Sequence, residues 1–198
     1  MRIIILGYRG LIGSHILREL ANNLKKNQNF DLICVGRNIR KQPFKNKKIK
    51  YVSWNFLEFN KFKLHFLKKE NIIINCIGKN YSSSDDLQKI NVIFVKKLIN
   101  YIQYNKILVR FIHLGSVSVY GAEKQNINKI INITENSKTN PDDLYSKSKL
   151  ESELIIRNFS KNNRKNFSFT ILRIANVFSD LKNPNSFILI KFLLQKGI

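Results

Sequence analysis

The sequence predicts an α/β protein, in which a doubly wound parallel sheet carries helices on both faces in a three-layer α/β/α arrangement. Two observations carry this prediction. Short apolar runs rich in β-branched residues alternate with stretches whose apolar positions follow a helical period. A glycine-rich turn also joins the first apolar run to the first helical stretch. The 198 residues, with 43% hydrophobic content, suffice for one globular domain with a sizeable core.

The first predicted strand, 3–6, runs into a turn with glycines at positions 7, 10 and 13, and 14–24 follow with a helical pattern. The first glycine permits a tight turn, the second lets the backbone approach a pyrophosphate, and the third lets helix and strand pack closely. The amides and the dipole at the helix N-terminus also favour phosphate. The spacing differs from the standard Gly-x-Gly-x-x-Gly fingerprint, and a turn without a ligand is the alternative. The residues predicted to bind a dinucleotide here are Gly7, Tyr8, Arg9, Gly10, Leu11, Ile12 and Gly13.

The second predicted strand, 31–35, ends at Gly36 and Arg37. A site selective for NAD usually has an acidic residue here, which binds the ribose hydroxyls, whereas an arginine suits the 2′-phosphate of NADP. The cofactor is therefore predicted to be NADP or NAD, with NADP favoured. The alternative is that Arg37 is one more solvated base in the basic stretch 37–50.

The middle of the chain predicts two further strands and two helices. A third strand, 49–54, is followed by Asn55 and a helix over 56–70. The fourth strand, 71–78, closes on Cys76, Ile77 and Gly78, which we predict to line the cofactor. A polar loop leads to a long amphipathic helix over 86–104, with Ser84 or Asp85 as its N-cap.

The fifth predicted strand, 107–114, leads into a serine-containing stretch, 115–121. Ligands of open α/β sheets bind outside the carboxyl ends of the strands, so Ser116 is a candidate for chemistry, with a strand-end cap as the alternative. A polar stretch, 122–140, precedes a helix to about residue 160. A sixth strand over 167–172 and a final apolar helix over 186–194 complete the pattern.

Tyr145 and Lys149 lie four residues apart in that helix, so their side chains share one face. A nearby ammonium favours the phenolate and lowers the tyrosine pKa, which brings the phenol closer to the range where general acid-base catalysis works. The pair is therefore a candidate acid/base site. An exposed helical pair without function is the alternative.

Composition argues against several other function classes. The formal charge is +22, which leaves a nucleic-acid binder as the least favoured alternative. The basic residues are scattered and accompany many Asn and Ile residues, which codon bias explains at least as well, so no nucleic-acid partner is predicted. Cys34 and Cys76 lie in apolar runs and are expected to be buried free thiols, not metal ligands. No apolar run reaches the roughly 18–20 residues of a membrane span. We predict a cytoplasmic protein without a membrane partner or a metal.

In order and spacing, these motifs resemble the extended short-chain dehydrogenase/reductase family, the NAD-dependent epimerase/dehydratase group. The resemblance runs from residue 1 to about 178. The matching residues are Gly7, Gly10, Gly13, the stretch 116–121, Thr134, Glu135, Pro141, Tyr145, Lys149, Glu153, Arg173 and the stretch 176–178.

The resemblance implies a Rossmann-like fold and an NAD(P)-dependent oxidoreductase acting on a nucleotide-sugar. Tyr145 would be the acid/base and would also contact the cofactor, Lys149 would lower its pKa and hold the nicotinamide ribose, and Ser116 would hydrogen-bond the substrate oxygen. Asn91 matches a recurrent family asparagine, for which a structural role is equally open. A homodimer through the helices that flank the tyrosine–lysine pair is also compatible with the resemblance.

The chain departs from the family pattern in three places. The acidic residue after the second strand is missing, and Asn55 stands where the family often has an acid near the adenine. Family members also continue well beyond this length. We therefore expect an NAD(P)-binding domain over 1–178 and the start of a truncated substrate-binding region over 179–198. The alternative function is a non-catalytic NAD(P)-binding protein without turnover.

Overall fold

A single parallel sheet organises the computed structural model, which describes residues 1–25, 30–39, 42–58, 70–80, 82–121, 132–175 and 177. All of its strand pairs are parallel. The strands are β1 (Arg2–Leu6), β2 (Asp31–Gly36), β3 (Ile49–Ser53), β4 (Glu70–Asn75), β5 (Leu108–Ser116) and β6 (Phe167–Ile174). Their order in the sheet is β3-β2-β1-β4-β5-β6. The order reverses between β1 and β4, and such a switch point leaves a crevice at the carboxyl ends of the strands.

The helices of the described residues pack on both faces of this sheet. They are α1 (Leu11–Lys25), α2 (Ser84–Leu87), α3 (Phe94–Tyr104) and α4 (Leu144–Asn162). A π-helical segment, Gln88–Ile93, joins α2 to α3, and a 3₁₀ helix, Val117–Tyr120, follows β5. None of these described helices has the length and hydropathy needed to cross a membrane.

The core forms one layer on each face of the sheet, as the alternation of β1 shows. Ile4 and Leu6 belong to a cluster with α3 and α4, whereas Ile3 and Ile5 belong to a cluster with α1. Because successive strand residues point to opposite faces, a strand that is apolar at every position is buried on both. The predicted doubly wound α/β/α sheet is confirmed.

Several predicted boundaries shift for local reasons. β4 ends at Asn75 and not at Gly78, because the Asn75 side chain accepts a hydrogen bond from the Ile77 amide (3.1 Å) and turns the chain out of the sheet. The N-cap of α2 is Ser83 and not Ser84 or Asp85, since its hydroxyl accepts from the Asp86 amide. Most of the helix predicted over 56–70, the helix predicted over 186–194 and the whole region 179–198 lie outside the described residues.

Candidate cofactor and catalytic site

The glycine turn joins β1 to α1 with little room for side chains. Gly7 has a φ of +82°, a conformation that favours glycine, and its amide donates to the Val35 carbonyl (2.9 Å). The Gly10 amide closes the turn on the Gly7 carbonyl (3.0 Å). A Cβ at Gly13 would overlap that same carbonyl oxygen, so a side chain there would displace the turn. The first turn of α1 is thereby held against the carboxyl end of β1.

A cavity of about 570 Å³ opens at this edge of the sheet. That volume lies within the range of small-molecule and cofactor sites. Its described lining residues include three cations, Arg9, Arg37 and Lys79, and no carboxylate, although Lys79 forms an ion pair with Asp86 outside the lining. The glycine turn and these charges fit a polyanionic dinucleotide. The lining residues are Gly7, Arg9, Gly10, Gly36, Arg37, Asn38, Asn55, Phe56, Leu57, Cys76, Ile77, Gly78, Lys79 and Ile90.

The predicted cofactor residues divide into those that line this cavity and those that support it. Tyr8 is only 2% exposed, and its ring fills the space beside Gly36, where a Cβ would lie 2.9 Å from a ring carbon. Leu11, Ile12 and Gly13 form the first turn of α1 and are not among the lining residues either. Tyr8 therefore shapes the wall from behind, through the backbone of Gly36.

Arg37 and Asn55, both predicted to bind the cofactor, line the cavity. Arg37 is exposed at the end of β2, and its carbonyl accepts from the Ser53 hydroxyl (3.3 Å). Asn55 caps a local turn: its side-chain oxygen accepts from the Leu57 amide (3.3 Å), and its amide donates to Glu58 (2.8 Å). Arg37 thus offers a cation at the position that meets the adenosine ribose in folds of this type.

Asn91 holds the cavity wall from the π-helical segment and does not line the cavity. It is 2% exposed; its oxygen accepts from the Lys79 amide (2.9 Å), and its nitrogen donates to the Lys79 carbonyl (3.0 Å). The same nitrogen donates to the Ser148 hydroxyl (2.9 Å) on α4. Asn91 therefore ties the loop after β4 to the helix that carries the tyrosine–lysine pair.

Lys149 is buried against the carboxyl end of β5. It is 4% exposed, and its ammonium donates to the Leu114 carbonyl (2.5 Å). A Cβ built on Gly78, in the cavity wall, would stand 3.8 Å from Nζ. Burial lowers the Lys149 pKa to about 8, although the nearby Glu153 carboxylate favours the charged form. Tyr145 lies one helical turn earlier on α4 and is half-buried.

Ser116 ends β5 and is 8% exposed. Its hydroxyl accepts from the Ser118 amide (3.2 Å) and caps the 3₁₀ helix, as the strand-end alternative expected. It also shares a hydrogen bond with the Ser118 hydroxyl (2.8 Å). Because Ser116 follows Leu114 by two residues on β5, the serine and the ammonium of Lys149 meet the same strand end.

A buried ion pair lies behind this strand end, and both of its residues belong to the motifs matched above, whose spacing did not predict the pair. Glu153 on α4 is 0% exposed and binds Arg173 of β6 (2.8 Å). Arg173 also donates to the Tyr120 hydroxyl (2.6 Å), which donates in turn to the Thr134 carbonyl (2.9 Å). A Cβ at Gly115 would stand 2.6 Å from the Glu153 carboxylate. The β5–β6 register sets Arg173 beside Gly115, and the packing of α4 on this strand end brings Glu153 to both.

The described residues contain no group of three or more His, Cys, Asp or Glu that could hold a metal ion. Cys34 and Cys76 are free thiols, the first buried and the second half-buried in the cavity wall. Burial raises the pKa of both thiols to about 12. Cys34 is therefore a core residue and Cys76 a residue of the cavity wall, and neither thiol is activated.

Comparisons with known proteins agree with this architecture. The solved structures similar to the chain include UDP-glucuronic acid 4-epimerase from Bacillus cereus in complex with NAD (21% identity, TM-score 0.73, covering 98% of this chain and 64% of that one). They also include the UDP-Glc/GlcNAc 4-epimerase of Campylobacter jejuni (21%, 0.74, 98% and 61%). A third is dTDP-glucose 4,6-dehydratase from Bacillus anthracis str. Ames in complex with NAD (19%, 0.71, 100% and 62%). No curated protein matches the chain.

These likenesses establish the fold, and the chain spans about 64% of the length of the first of these structures. The family model described as the NAD dependent epimerase/dehydratase family matches residues 3–194. Its description agrees with the nicotinamide dinucleotide that the sequence predicts. The match covers nearly the whole chain, and the chain therefore belongs to the NAD-dependent epimerase/dehydratase family.

Proposed function

We propose that the chain is an NAD(P)-dependent oxidoreductase that acts on a nucleotide-sugar as an epimerase, dehydratase or reductase. The observation that carries this proposal is the Lys149 ammonium, buried at the carboxyl end of β5 beside the cavity wall and one helical turn from Tyr145. Burying an ammonium is costly, so its retention beside the wall of a cofactor-sized cavity, on the helix that carries Tyr145, supports chemistry at this place.

Each group of cavity residues would hold a different part of the cofactor. The glycine turn, the first turn of α1 and Arg9 would hold the pyrophosphate, and Arg37 would meet the adenosine ribose or its 2′-phosphate. The wall formed by Cys76, Ile77 and Gly78 would lie along the remainder of the dinucleotide. When bound, NAD(P) supplies an acceptor and donor of hydride for a sugar carbon.

The side chains around the end of β5 would move and hold the proton. The Lys149 ammonium favours the Tyr145 phenolate, whose oxygen takes the proton of a sugar hydroxyl and returns it in the reverse step. Ser116 would orient the same sugar oxygen by a hydrogen bond. Its hydroxyl accepts from the Ser118 amide, and its proton is available for donation when Ser118 is the donor in the bond that the two hydroxyls share.

The lowered pKa of Lys149 predicts opposite pH effects on binding and on stability. Affinity for the dinucleotide is expected to fall as pH rises through about 8, because the ammonium then loses its charge. In the unfolded chain Lys149 keeps its proton up to a pH of about 10.5. Between about pH 8 and 10.5 the unfolded state therefore binds more protons than the folded state, and the free energy of unfolding rises with pH. Nicotinamide fluorescence titrations measure the affinity and urea unfolding measures the free energy, both from pH 7 to 10.

Lys149→Met provides the reference for both pH effects. The variant is expected to bind weakly at every pH and to lack the rising stability term. A wild-type affinity that stays constant across pH 7 to 10 would contradict the assignment of the ammonium to the cofactor site.

The first experiment on the cofactor is titration of the chain with NADPH and NADH, followed by nicotinamide fluorescence. Wild type is expected to bind NADPH more tightly. Arg37→Asp is expected to weaken NADPH about 10- to 100-fold, since a charge-assisted hydrogen bond to phosphate is lost, and to reverse the preference. Arg18→Asp changes the net charge equally on the exposed side of α1, away from the cavity lining, and is the matched control.

Each outcome of this titration has a distinct meaning. A wild-type preference for NADH would keep the dinucleotide site and remove Arg37 from it. Binding without turnover on a panel of UDP- and dTDP-sugars would favour the alternative, a non-catalytic NAD(P)-binding protein. Absence of binding for both nucleotides would overturn the proposed function.

A further inference from the structure

A buried chain of polar side chains runs behind the cavity from β4 through β5 to α4. Its members are Asn75, His113 and Ser152, which are 0%, 1% and 0% exposed. The β4–β5 register places Asn75 directly opposite His113. None of the three lines the cavity, and the chemistry proposed above uses none of them.

The direction of every hydrogen bond in this chain follows from its first donor. The Ile77 amide donates to the Asn75 side-chain oxygen (3.1 Å), so the amide nitrogen of Asn75 faces His113 Nδ1 (3.1 Å) and donates to it. Nδ1 therefore carries no proton, and Nε2–H donates to the Ser152 hydroxyl (3.2 Å). Ser152 in turn donates to the backbone carbonyl of Lys149 (2.7 Å).

The surroundings of His113 also favour an uncharged ring. Phe111 of the same strand stacks on it (centroids 6.1 Å apart, planes at 19°), and Asn75 and Ser152 carry no charge. Among the described residues, the charged group that acts on it is the Lys149 ammonium on α4. Burial first, and then this ammonium, hold the His113 pKa well below its ordinary value.

We propose that His113, fixed as the neutral Nε2–H tautomer, is a positioning residue that locks helix α4 and its Lys149 against the cavity wall. One end of the chain is the amide of Ile77, a lining residue, and the other end is the Lys149 carbonyl. His113 also directly precedes Leu114, whose carbonyl receives the Lys149 ammonium. Backbone and side chain of Lys149 are thus anchored to adjacent residues of β5, so a shift of α4 would move Nζ relative to Gly78.

The mutational test removes the ring nitrogens and keeps the ring. His113→Phe can still stack on Phe111 but cannot accept from Asn75 or donate to Ser152. The dissociation constant of the dinucleotide that wild type binds more tightly is expected to rise about tenfold with unchanged stoichiometry, the effect of roughly one lost hydrogen bond. Phe167→Leu, a buried packing change on the neighbouring strand β6, is expected to lower Tm and keep the dissociation constant within about twofold of wild type.

The tautomer of His113 is a second quantity to measure, and it can be measured in the wild type without the cofactor. The chain has three histidines, and comparison with the His113→Phe spectrum or with single substitutions of the other two assigns the ¹⁵N signals of His113. Wild-type His113 is expected to show the neutral Nε2–H pattern throughout pH 6 to 8, while free imidazole in the same tube titrates. A Nδ1–H tautomer or an imidazolium at pH 7 would overturn the proposal, whether or not the variants fold.

The functional part of the proposal rests on the proposed cofactor site, and the two can fail separately. If wild type binds no dinucleotide, the proposed function fails. The titration of Lys149, followed by its side-chain ¹³Cε signal, then reports how deeply the ammonium is buried in wild type and variant. In His113→Phe that titration is expected to move from about 8 toward 10.5, because a loosened α4 exposes the ammonium. An unchanged Lys149 titration together with unchanged nucleotide affinity would show that His113 does not position the helix.

Discussion

Replacement of Tyr145 by phenylalanine is expected to lower the turnover of any accepted nucleotide-sugar by about 10²- to 10⁴-fold, the usual contribution of a general acid-base residue. The variant keeps the ring of a half-buried residue and removes only its hydroxyl. The dissociation constant of the dinucleotide is expected to stay within about threefold, below the effect of a full hydrogen bond, because the glycine turn and the cavity wall are untouched. Steady-state rates on UDP- and dTDP-sugars and nicotinamide fluorescence give the two quantities.

The matched control for this variant is Tyr104→Phe, which removes a hydroxyl from a residue that is 87% exposed at the end of α3. Its turnover and its nucleotide affinity are expected to equal those of wild type. Turnover that survives in Tyr145→Phe on a substrate the wild type accepts would exclude the tyrosine as acid/base. Equal losses of rate and of folded fraction would assign it a structural role instead.

The sequence alone was sufficient for the parts of this site that depend on short spacings. Glycines three residues apart after an apolar run predict the turn at Gly7, and the separation of Tyr145 from Lys149 predicts a shared helix face. Both inferences use local geometry, which the periods of strands and helices determine. The parallel sheet with helices on both faces followed from the alternation of apolar runs with helical patterns, whereas the strand order comes from the structure alone.

The buried polar chain at His113 could not be predicted in the same way. Asn75 and His113 are 38 residues apart, and only the β4–β5 register sets them opposite each other. In the sequence neither residue is distinguished from the other polar residues of its strand, such as Asn71 in β4 and Arg110 in β5. The π-helical segment around Asn91 was likewise missed, because an amphipathic pattern does not distinguish it from an α-helical turn.

Tyr8 illustrates a different limit of the sequence. Its place between Gly7 and Gly10 put it among the predicted cofactor residues, yet the ring is buried against Gly36, a residue 28 positions away. The absence of a Cβ at Gly36 is what leaves room for the ring. A contact that depends on the space left by a missing Cβ can be recognised only in the packed structure.

Arg173→Met is expected to cause the largest loss of stability among the changes considered, about 3–5 kcal/mol, because it leaves the Glu153 carboxylate buried without its ion-pair partner. Glu153 is 0% exposed, whereas the Arg173 side chain is 13% exposed. Loss of the arginine also removes the donor to the Tyr120 hydroxyl, so the 3₁₀ helix after Ser116 loses one of its anchors. Urea unfolding followed by circular dichroism measures the free energy.

The double variant Arg173→Met/Glu153→Met separates the cost of an orphaned charge from the value of the pair. Replacing both partners by apolar side chains is expected to recover much of the loss, since desolvation of the carboxylate no longer has to be offset. Arg2→Met is the control: it breaks an ion pair of similar length (3.2 Å) whose acidic partner, Asp31, is 37% exposed, and it is expected to cost no more than about 1 kcal/mol. A double variant as unstable as Arg173→Met would mean that the loss of stability comes from the missing ion pair itself. It would not then come from a carboxylate that is buried without its partner.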